Sequence, residues 1–278
     1  MSDSQADTMP RRLYRNAQSY PDSPAFAEKY LGIWQTYSWK QTGSEVRAIA
    51  CGLASLGLQR GEMVALIGTN RPQLYWVFFA TQSLGAVPVP IYQDGVPAEL
   101  EFVLNHAGVR FAVVENQEQA DKLLEIKEKC PALETIIYSD TKGMRHYSET
   151  FLYSYADVQA RGRQYDAEHA DFFEGELASG QADDVAGIFY TSGTTGDPKG
   201  VQLTSANLLG SAEACNAQEG LSSTDRQVNY APMAWIGDHL FLSLSLSAGA
   251  CTNCPESQET SVSYTHLRAH ETQRYLVC

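Results

Sequence analysis

Short apolar runs alternate with longer segments of helical periodicity through the first half of the chain. A helix is predicted from Ser38 to Leu56, because Ser38 can cap it and apolar residues recur at helical spacing until Gly57. The pattern then predicts, in chain order, strand Met63–Ile67, helix Pro72–Leu84, strand Ala86–Ile91, helix Ala98–Ala107, strand Phe111–Val114, helix Glu118–Lys129 and strand Thr135–Tyr138. Strands that alternate with helices at this spacing predict an α/β fold with a parallel sheet covered on both faces.

The pattern changes in the middle of the chain. From Thr141 to Gly180 the apolar periodicity weakens, which predicts surface loops and short helices. The run Val185–Tyr190 predicts one more buried strand, and it leads directly into a loop rich in Gly, Ser and Thr. Mixed charges along Asp121–Lys129 predict a solvated helix face with no ligand role.

Composition and charge exclude some classes of function. The chain has 278 residues, of which 44% are hydrophobic and 19% charged, as is typical of a soluble globular protein. Its formal net charge of -13 argues against a nucleic-acid partner, since phosphate backbones are bound by clustered Lys and Arg. A polar N-terminus, the lack of a run of roughly 20 apolar residues and the scattered cysteines predict a cytoplasmic protein. Peripheral membrane contact and oligomeric state are left open.

The loop Tyr190–Gly200, with the sequence YTSGTTGDPKG, carries the candidate chemistry. Glycines let backbone N–H groups approach an anion, hydroxyls donate to phosphate oxygens, and a lysine adds a mobile positive charge. The loop is not a Walker A loop, because Pro198 stands five residues after Gly193, and it contains no G-x-G-x-x-G. Residue chemistry alone leaves a phosphate site and an ordinary surface turn as alternatives.

Three segments in order resemble one known family. The loop, followed by VQLT, resembles the signature loop of the adenylate-forming (AMP-binding) superfamily, and Tyr37–Lys40 and Leu84–Ile91 resemble its first two core motifs. The resemblance runs from about Leu13 to about Ser257. The segment Ala86–Glu125 and the flanks of the loop are similar to the long-chain fatty acyl-CoA synthetase branch.

This resemblance implies a fold, a reaction and a set of site residues. It implies that residues 1–257 are part of the parallel-sheet N-terminal domain, in which ATP and a fatty acid form an acyl-adenylate that CoA then attacks. Mg²⁺ would bridge the ATP phosphates, and Lys199 would tether a phosphate rather than act as a base. Asp197 and Pro198 would shape the turn. The implied phosphate-binding residues are Thr191, Ser192, Gly193, Thr194, Thr195, Gly196 and Lys199.

A fourth segment, Pro232–His239, occupies the place of the family's acyl-pocket motif but departs from it. Family members often carry His where Trp235 stands. By resemblance Trp235 lines or gates the acyl tunnel, while a buried core indole is the alternative. His239 is expected to satisfy a structural hydrogen bond.

The sequence changes character after about residue 257. Residues 258–278 have no counterpart in the family and resemble translated sequencing-adapter DNA, so we expect a non-native tail. The family's later motifs, including the adenylation lysine, the acidic metal ligand and the C-terminal lid domain, are not found. We therefore assign no catalytic residue and no metal ligand, and expect the chain to be poorly soluble and to turn over negligibly.

Two alternative functions are carried forward. An adenylation domain that loads a carrier protein keeps the family and changes the acceptor. A non-enzymatic nucleotide-binding or zinc-binding module is the other alternative, because Cys251-x2-Cys254 and His266-x3-His270 nearly match a Cys2His2 zinc module. Gln258 and Ser263 fall near the places where such a module needs core residues, so a zinc site is not expected.

Overall fold

The computed structural model describes residues 7–191 and 198–257. Strands and helices alternate along this part of the chain, with Thr8 and Ser38 as side-chain caps of the first two helices. The helices are α1 Met9–Ser19, α2 Trp39–Ser55, α3 Pro72–Ser83, α4 Pro97–Ala107, α5 Gln117–Ile126, α6 Tyr155–Glu168, α7 Phe172–Ser179, α8 Ser205–Glu219 and α9 Ile236–Ala248. The strands are β1 Pro24–Tyr30, β2 Ile33–Ser38, β3 Met63–Ile67, β4 Val87–Ile91, β5 Val109–Val114, β6 Thr135–Tyr138, β7 Leu152–Ser154, β8 Val185–Thr191, β9 Lys199–Thr204, β10 Arg226–Val228 and β11 Cys251–Cys254.

The central sheet has five parallel strands in the order β4-β3-β5-β6-β7. Alternate residues of β3 enter two different cores: Val64 and Leu66 pack with α2 and α3, while Ala65 and Ile67 pack with α4 and α5. The predicted α/β fold with a parallel sheet covered on both faces is therefore confirmed. Each predicted strand and helix from Ser38 to Tyr138 is present within a few residues of its expected bounds.

Two prolines make β4 an edge of this sheet. The Val87 N–H donates to the Glu62 carbonyl oxygen at 2.8 Å, so alternate residues of β4 face β3. Pro88 and Pro90 face the other way and have no N–H to donate. The hairpin β8–β9 packs beside this edge as a separate antiparallel sheet, and the Gln82 side chain donates to the Ala186 carbonyl oxygen at 2.6 Å.

The prediction of surface loops and short helices for residues 141–180 was wrong in two respects. Strand β7 in this segment pairs with β6 in the central sheet. Helix α7 is short, as expected, but α6 is a 14-residue helix packed on α2. The two helices approach closely because Gly52 and Gly162 face each other's backbone: a Cβ on Gly162 would overlap the Ala48 carbonyl oxygen. Helix α6 buries few residues, Tyr155, Val158 and Gly162, so its apolar stripe is too narrow to show as a period in the sequence.

The remaining elements form a second layer that the apolar pattern did not indicate. Strands β10-β11-β1-β2 make a mixed sheet, called the second sheet below. In it β1 pairs antiparallel with β2 and parallel with β11. Helices α8 and α9 pack together after the β8–β9 hairpin. No helix of the part that the structure describes is long and apolar enough to cross a membrane.

Candidate active site

The β8–β9 hairpin brings together the two ends of the predicted phosphate loop. Thr191, the last residue of β8, pairs with Lys199, the first residue of β9, and both are exposed. Ser192, Gly193, Thr194, Thr195 and Gly196 lie outside the described residues. Two of the seven predicted phosphate-binding residues are therefore placed, facing each other across the mouth of the loop.

The base of the loop is fixed to helix α4. The Tyr190 hydroxyl lies 2.7 Å from Nδ1 of His106, and the two rings meet edge to face. Burial raises the pKa of Tyr190, so its hydroxyl stays neutral at physiological pH. On the opposite strand, a Cβ on Gly200 would lie 2.8 Å from Cγ2 of Ile188, so the residue paired with Tyr190 has to be small.

A small cleft with a volume of about 10 Å³ lies at the carboxyl ends of β3 and β4. Its walls come from three segments: the turn after β3, the turn after β4 and the start of the predicted acyl-pocket motif. In open α/β sheets, ligands bind beyond the carboxyl ends of the strands. The lining residues are Gly68, Thr69, Asn70, Ile91, Tyr92, Gln93, Asp94, Pro232, Met233 and Ala234.

Trp235 stands at the edge of this cleft and is 55% exposed. It is the residue before the first turn of α9, and its ring lies 6.5 Å from that of Tyr92, at the end of β4. The alternative interpretation from the sequence, that Trp235 is a buried core residue, is therefore wrong.

A carboxylate beside the turn after β3 is held in place by its neighbours. Glu115, which follows β5, accepts hydrogen bonds from the Thr69 backbone N–H at 2.6 Å and from the Thr69 hydroxyl. The Arg71 Nε donates to the same carboxylate at 3.4 Å, and its Nη2 donates to the Glu256 carbonyl oxygen at 3.0 Å. This turn is thereby tied to the end of the second sheet.

A buried polar cluster lies beneath the acyl-pocket segment, and sequence analysis missed it. Asp238 has no exposed surface; it accepts from the Tyr75 hydroxyl at 2.7 Å, from Asn70 Nδ2 at 2.8 Å and from Asn229 Nδ2 at 3.2 Å. Burial raises the pKa of Asp238 to about 7, against these hydrogen bonds, which favour the charged form. Its members are scattered along the sequence, so no local pattern signals the cluster.

His239 has the structural role expected of it. Its Nε2 lies 2.7 Å from the Met233 carbonyl oxygen, and its ring packs between those of Phe78 and Phe189. Burial lowers the pKa of His239 to about 4, so the imidazole is neutral at physiological pH and can donate this bond.

The cysteines of the near-match to a zinc module belong to the second sheet. Cys251 and Cys254 are the buried ends of β11, whereas His266 and His270 lie outside the described residues, as does the whole of the expected tail, 258–278. Within the described ranges, no group of three or more His, Cys, Asp or Glu side chains is placed to hold a metal ion.

Curated proteins of similar sequence are fatty acid CoA ligases by name. The chain is 26% identical over 232 residues to a long-chain-fatty-acid–CoA ligase of Mycobacterium bovis, covering 83% of this chain and 37% of that protein. It is 31% identical over 263 residues to a peroxisomal long-chain acyl-CoA synthetase of Arabidopsis thaliana, covering 81% and 36%. The chain thus spans about a third of the length of these relatives.

Solved structures share the fold at low sequence identity. A long-chain-fatty-acid–CoA ligase of Archaeoglobus fulgidus superposes with a TM-score of 0.79 at 21% identity, covering 95% of this chain and 50% of that protein. An anthranilate CoA ligase in complex with anthranoyl-AMP superposes with a TM-score of 0.76 at 23% identity, covering 90% and 45%.

Family membership follows from a sequence match that extends over most of the chain. The AMP-binding enzyme family model matches residues 13–275. That range includes the β8–β9 hairpin, the cleft and the acyl-pocket segment. The chain belongs to the AMP-binding enzyme family, and its fold is the parallel-sheet N-terminal domain of adenylate-forming enzymes.

Proposed function

We propose that the protein activates a long-chain fatty acid with ATP and transfers the acyl group to CoA. A carboxylate oxygen attacks the α-phosphorus and releases pyrophosphate, and the thiol sulfur then attacks the acyl carbon and releases AMP. The curated relatives are long-chain fatty acid CoA ligases and acyl-CoA synthetases by name, which supports the substrate class and the acceptor. The pairing of Thr191 with Lys199 across the hairpin carries the proposal, since it gives the predicted loop the exposed mouth that a triphosphate requires.

The phosphates would be held at the hairpin. Thr191 and Lys199 stand on the last and first residues of paired strands, so a hydroxyl and an ammonium flank the loop from fixed backbone. We extend the same role to Ser192, Gly193, Thr194, Thr195 and Gly196, whose N–H groups and hydroxyls suit phosphate oxygens. Lys199 would neutralise charge as a flexible tether.

Mg²⁺ fits this arrangement as a companion of the nucleotide. It prefers oxygen ligands and keeps several waters, so the phosphates and the loop hydroxyls suit it chemically. When bound, the ion neutralises negative charge on the triphosphate. The protein's own contribution is to position the phosphates and the carboxylate, which removes much of the entropic barrier to their reaction.

The acyl group would enter at the cleft, which would have to widen from its volume of about 10 Å³, the space of about one water molecule. Trp235 and Tyr92 offer exposed aromatic surface at its edge, and Met233 and Ile91 contribute apolar lining. An apolar chain would bury part of this aromatic surface, with a gain of roughly 25 cal/mol per Å² of apolar area.

Carboxylate-dependent exchange of pyrophosphate into ATP by the natural protein to which residues 1–257 belong tests the proposal. Palmitate is expected to support exchange far better than anthranilate or aspartate, and Lys199→Ala to reduce it. The matched control is Lys142→Ala, which removes an exposed lysine from the turn after β6. Exchange that prefers anthranilate or aspartate would overturn the substrate class, and transfer to a carrier protein instead of CoA would overturn the acceptor.

A further inference from the structure

The turn after β3 contacts three other elements through consecutive side chains. Thr69 bonds to Glu115 after β5, Asn70 to Asp238 on α9, and Arg71 to the Glu256 backbone after β11. One short turn therefore joins the central sheet, the acyl-pocket segment and the second sheet. Asn70 is the member that reaches the acyl-pocket segment.

Asn70 is almost fully buried, and its amide group bridges two parts of that segment. Its Nδ2 lies 2.9 Å from the Ala231 carbonyl oxygen and 2.8 Å from Oδ1 of Asp238. It also lies 2.7 Å from the Tyr75 hydroxyl, which donates in turn to Oδ2 of Asp238. The segment from 231 to 238 is thus held at both ends by one side chain of the opposite wall.

Apart from the bond of the Tyr75 hydroxyl to Asp238, the other hydrogen bonds of this segment come from residues within ten positions along the chain. The Trp235 N–H donates to the Pro232 carbonyl oxygen at 2.8 Å, and the Asp238 N–H donates to the Trp235 carbonyl oxygen at 3.1 Å. Within the described ranges, Asn70 supplies the one hydrogen bond that reaches residues 230–237 from a distant part of the chain. The local bonds shape the turn, whereas the Asn70 bond ties it to the turn after β3.

We infer that Asn70 and Asp238 form a positioning pair that holds the Ala231–Trp235 segment against the carboxyl end of β3 and so sets the width of the acyl cleft. This inference rests on the proposed function, because it takes the cleft to be the acyl site. The pair acts through the segment it holds. A displaced segment would move Met233 and Trp235 relative to Tyr92. The β8–β9 hairpin touches the segment through Phe189 and His239 and is also fixed to α4 through Tyr190, so its loop end would move less.

Three variants of the chain separate positioning from general stability. Asn70→Ala and Asp238→Ala remove one partner each, whereas Asp238→Asn keeps the shape and an oxygen that accepts from Asn70. The control is Asn105→Ala, which removes an amide hydrogen bond from Asn105 to the Lys129 carbonyl oxygen on the exposed side of α4. Loss of one partner leaves a buried polar group without its hydrogen bond, which changes a local equilibrium by on the order of tenfold or more.

The first readout is backbone hydrogen exchange measured on peptides. In Asn70→Ala and Asp238→Ala, exchange in residues 229–238 is expected to rise about tenfold or more, with little change in residues 109–126 of the central sheet. Asp238→Asn should stay close to the unchanged chain. Equal acceleration in both regions, or the same local acceleration in Asn105→Ala, would overturn the inference.

The second readout is calorimetric binding of two ligands. Asn70→Ala should weaken a non-hydrolysable palmitoyl-adenylate analogue about tenfold and leave the affinity for Mg-ATP within about twofold, since the acyl wall moves more than the loop end of the hairpin. Parallel loss of both affinities would contradict positioning. If the unchanged chain binds Mg-ATP but no acyl ligand, the proposed substrate class fails, and localised exchange alone then decides whether the pair holds the segment.

Discussion

The β8–β9 hairpin and the helix pair α2–α6 contribute to the molecule in opposite ways. The hairpin presents exposed side chains, Thr191 and Lys199, on paired strand ends, whereas α2 and α6 meet through Gly52 and Gly162, which present no side chain at all. Changes at the hairpin should therefore alter ligand affinity and leave folding intact. Changes at the helix pair should do the reverse, and the Asn70–Asp238 pair should affect both.

The largest expected effect is at the helix pair. In Gly162→Ala the new methyl would overlap the Ala48 carbonyl oxygen, so α6 has to move away from α2. We expect a loss of about 3 kcal/mol or more of unfolding free energy, measured by urea unfolding. Gly210→Ala in α8 is the matched control: a Cβ there meets nothing within 4 Å, so the change should stabilise by about 0.5–1 kcal/mol. Equal changes of unfolding free energy in Gly162→Ala and Gly210→Ala would contradict the claim that the α2–α6 contact requires glycine.

The next effect is a pair of opposed pH dependences at neighbouring residues. The pKa of Asp238, about 7, is above its ordinary value of 3.8, so the folded chain takes up this proton more readily and the unfolding free energy falls as pH rises from about 4 to about 7. The pKa of His239, about 4, is below its ordinary 6.5, so the unfolding free energy rises over nearly the same range. Tyr75 and Cys254, which face Asp238, have raised pKa values and stay neutral.

Single substitutions should expose each slope. From pH 5 to pH 7, Asp238→Asn should gain about 2 kcal/mol of unfolding free energy relative to the unchanged chain. The substitution removes the loss due to Asp238 and keeps the gain due to His239. His239→Gln should lose about 2 kcal/mol over the same interval. Urea unfolding at both pH values measures this, and slopes of the same sign in the two variants would contradict it.

Trp235 offers a third test of the difference between binding and folding positions, because it lies at the edge of the cleft and is exposed. Trp235→Ala should change the unfolding free energy by less than about 0.5 kcal/mol, while weakening the palmitoyl-adenylate analogue about tenfold or more. The control is Tyr30→Ala, which removes an aromatic side chain 56% exposed at the end of β1 and should leave the affinity unchanged. A large loss of unfolding free energy with unchanged affinity would show that Trp235 has a structural role and no role in binding.

Sequence analysis predicted best where one segment carries the whole signal. Strands β3 and β6 have the predicted bounds because a buried parallel strand is a short apolar run. The candidate phosphate loop was singled out because its residues are contiguous, whereas its second strand, β9, was not predicted. Helix α6 was missed because its contact with α2 depends on small residues, and small residues leave no apolar period.

The cleft was only half predicted, for a related reason. Trp235 was singled out through family resemblance, which left a place at the acyl tunnel and a place in the core as alternatives. Its exposure excludes the core. Asn70, Tyr75, Asn229 and Asp238 come from four elements, so only the folded chain shows that they meet. Their hydrogen bonds depend on tertiary packing, which neither hydrophobic period nor motif spacing encodes.

Calorimetric titration of Mg-ATP into the chain tests the central claim, that the β8–β9 hairpin holds the triphosphate of an AMP-binding enzyme. Lys199→Ala should weaken binding about tenfold without changing the unfolding free energy, because it removes one charge-assisted contact from an exposed position. Lys142→Ala should bind as the unchanged chain does. Equal affinities for the unchanged chain and Lys199→Ala, or equal losses in the two lysine variants, would contradict the account.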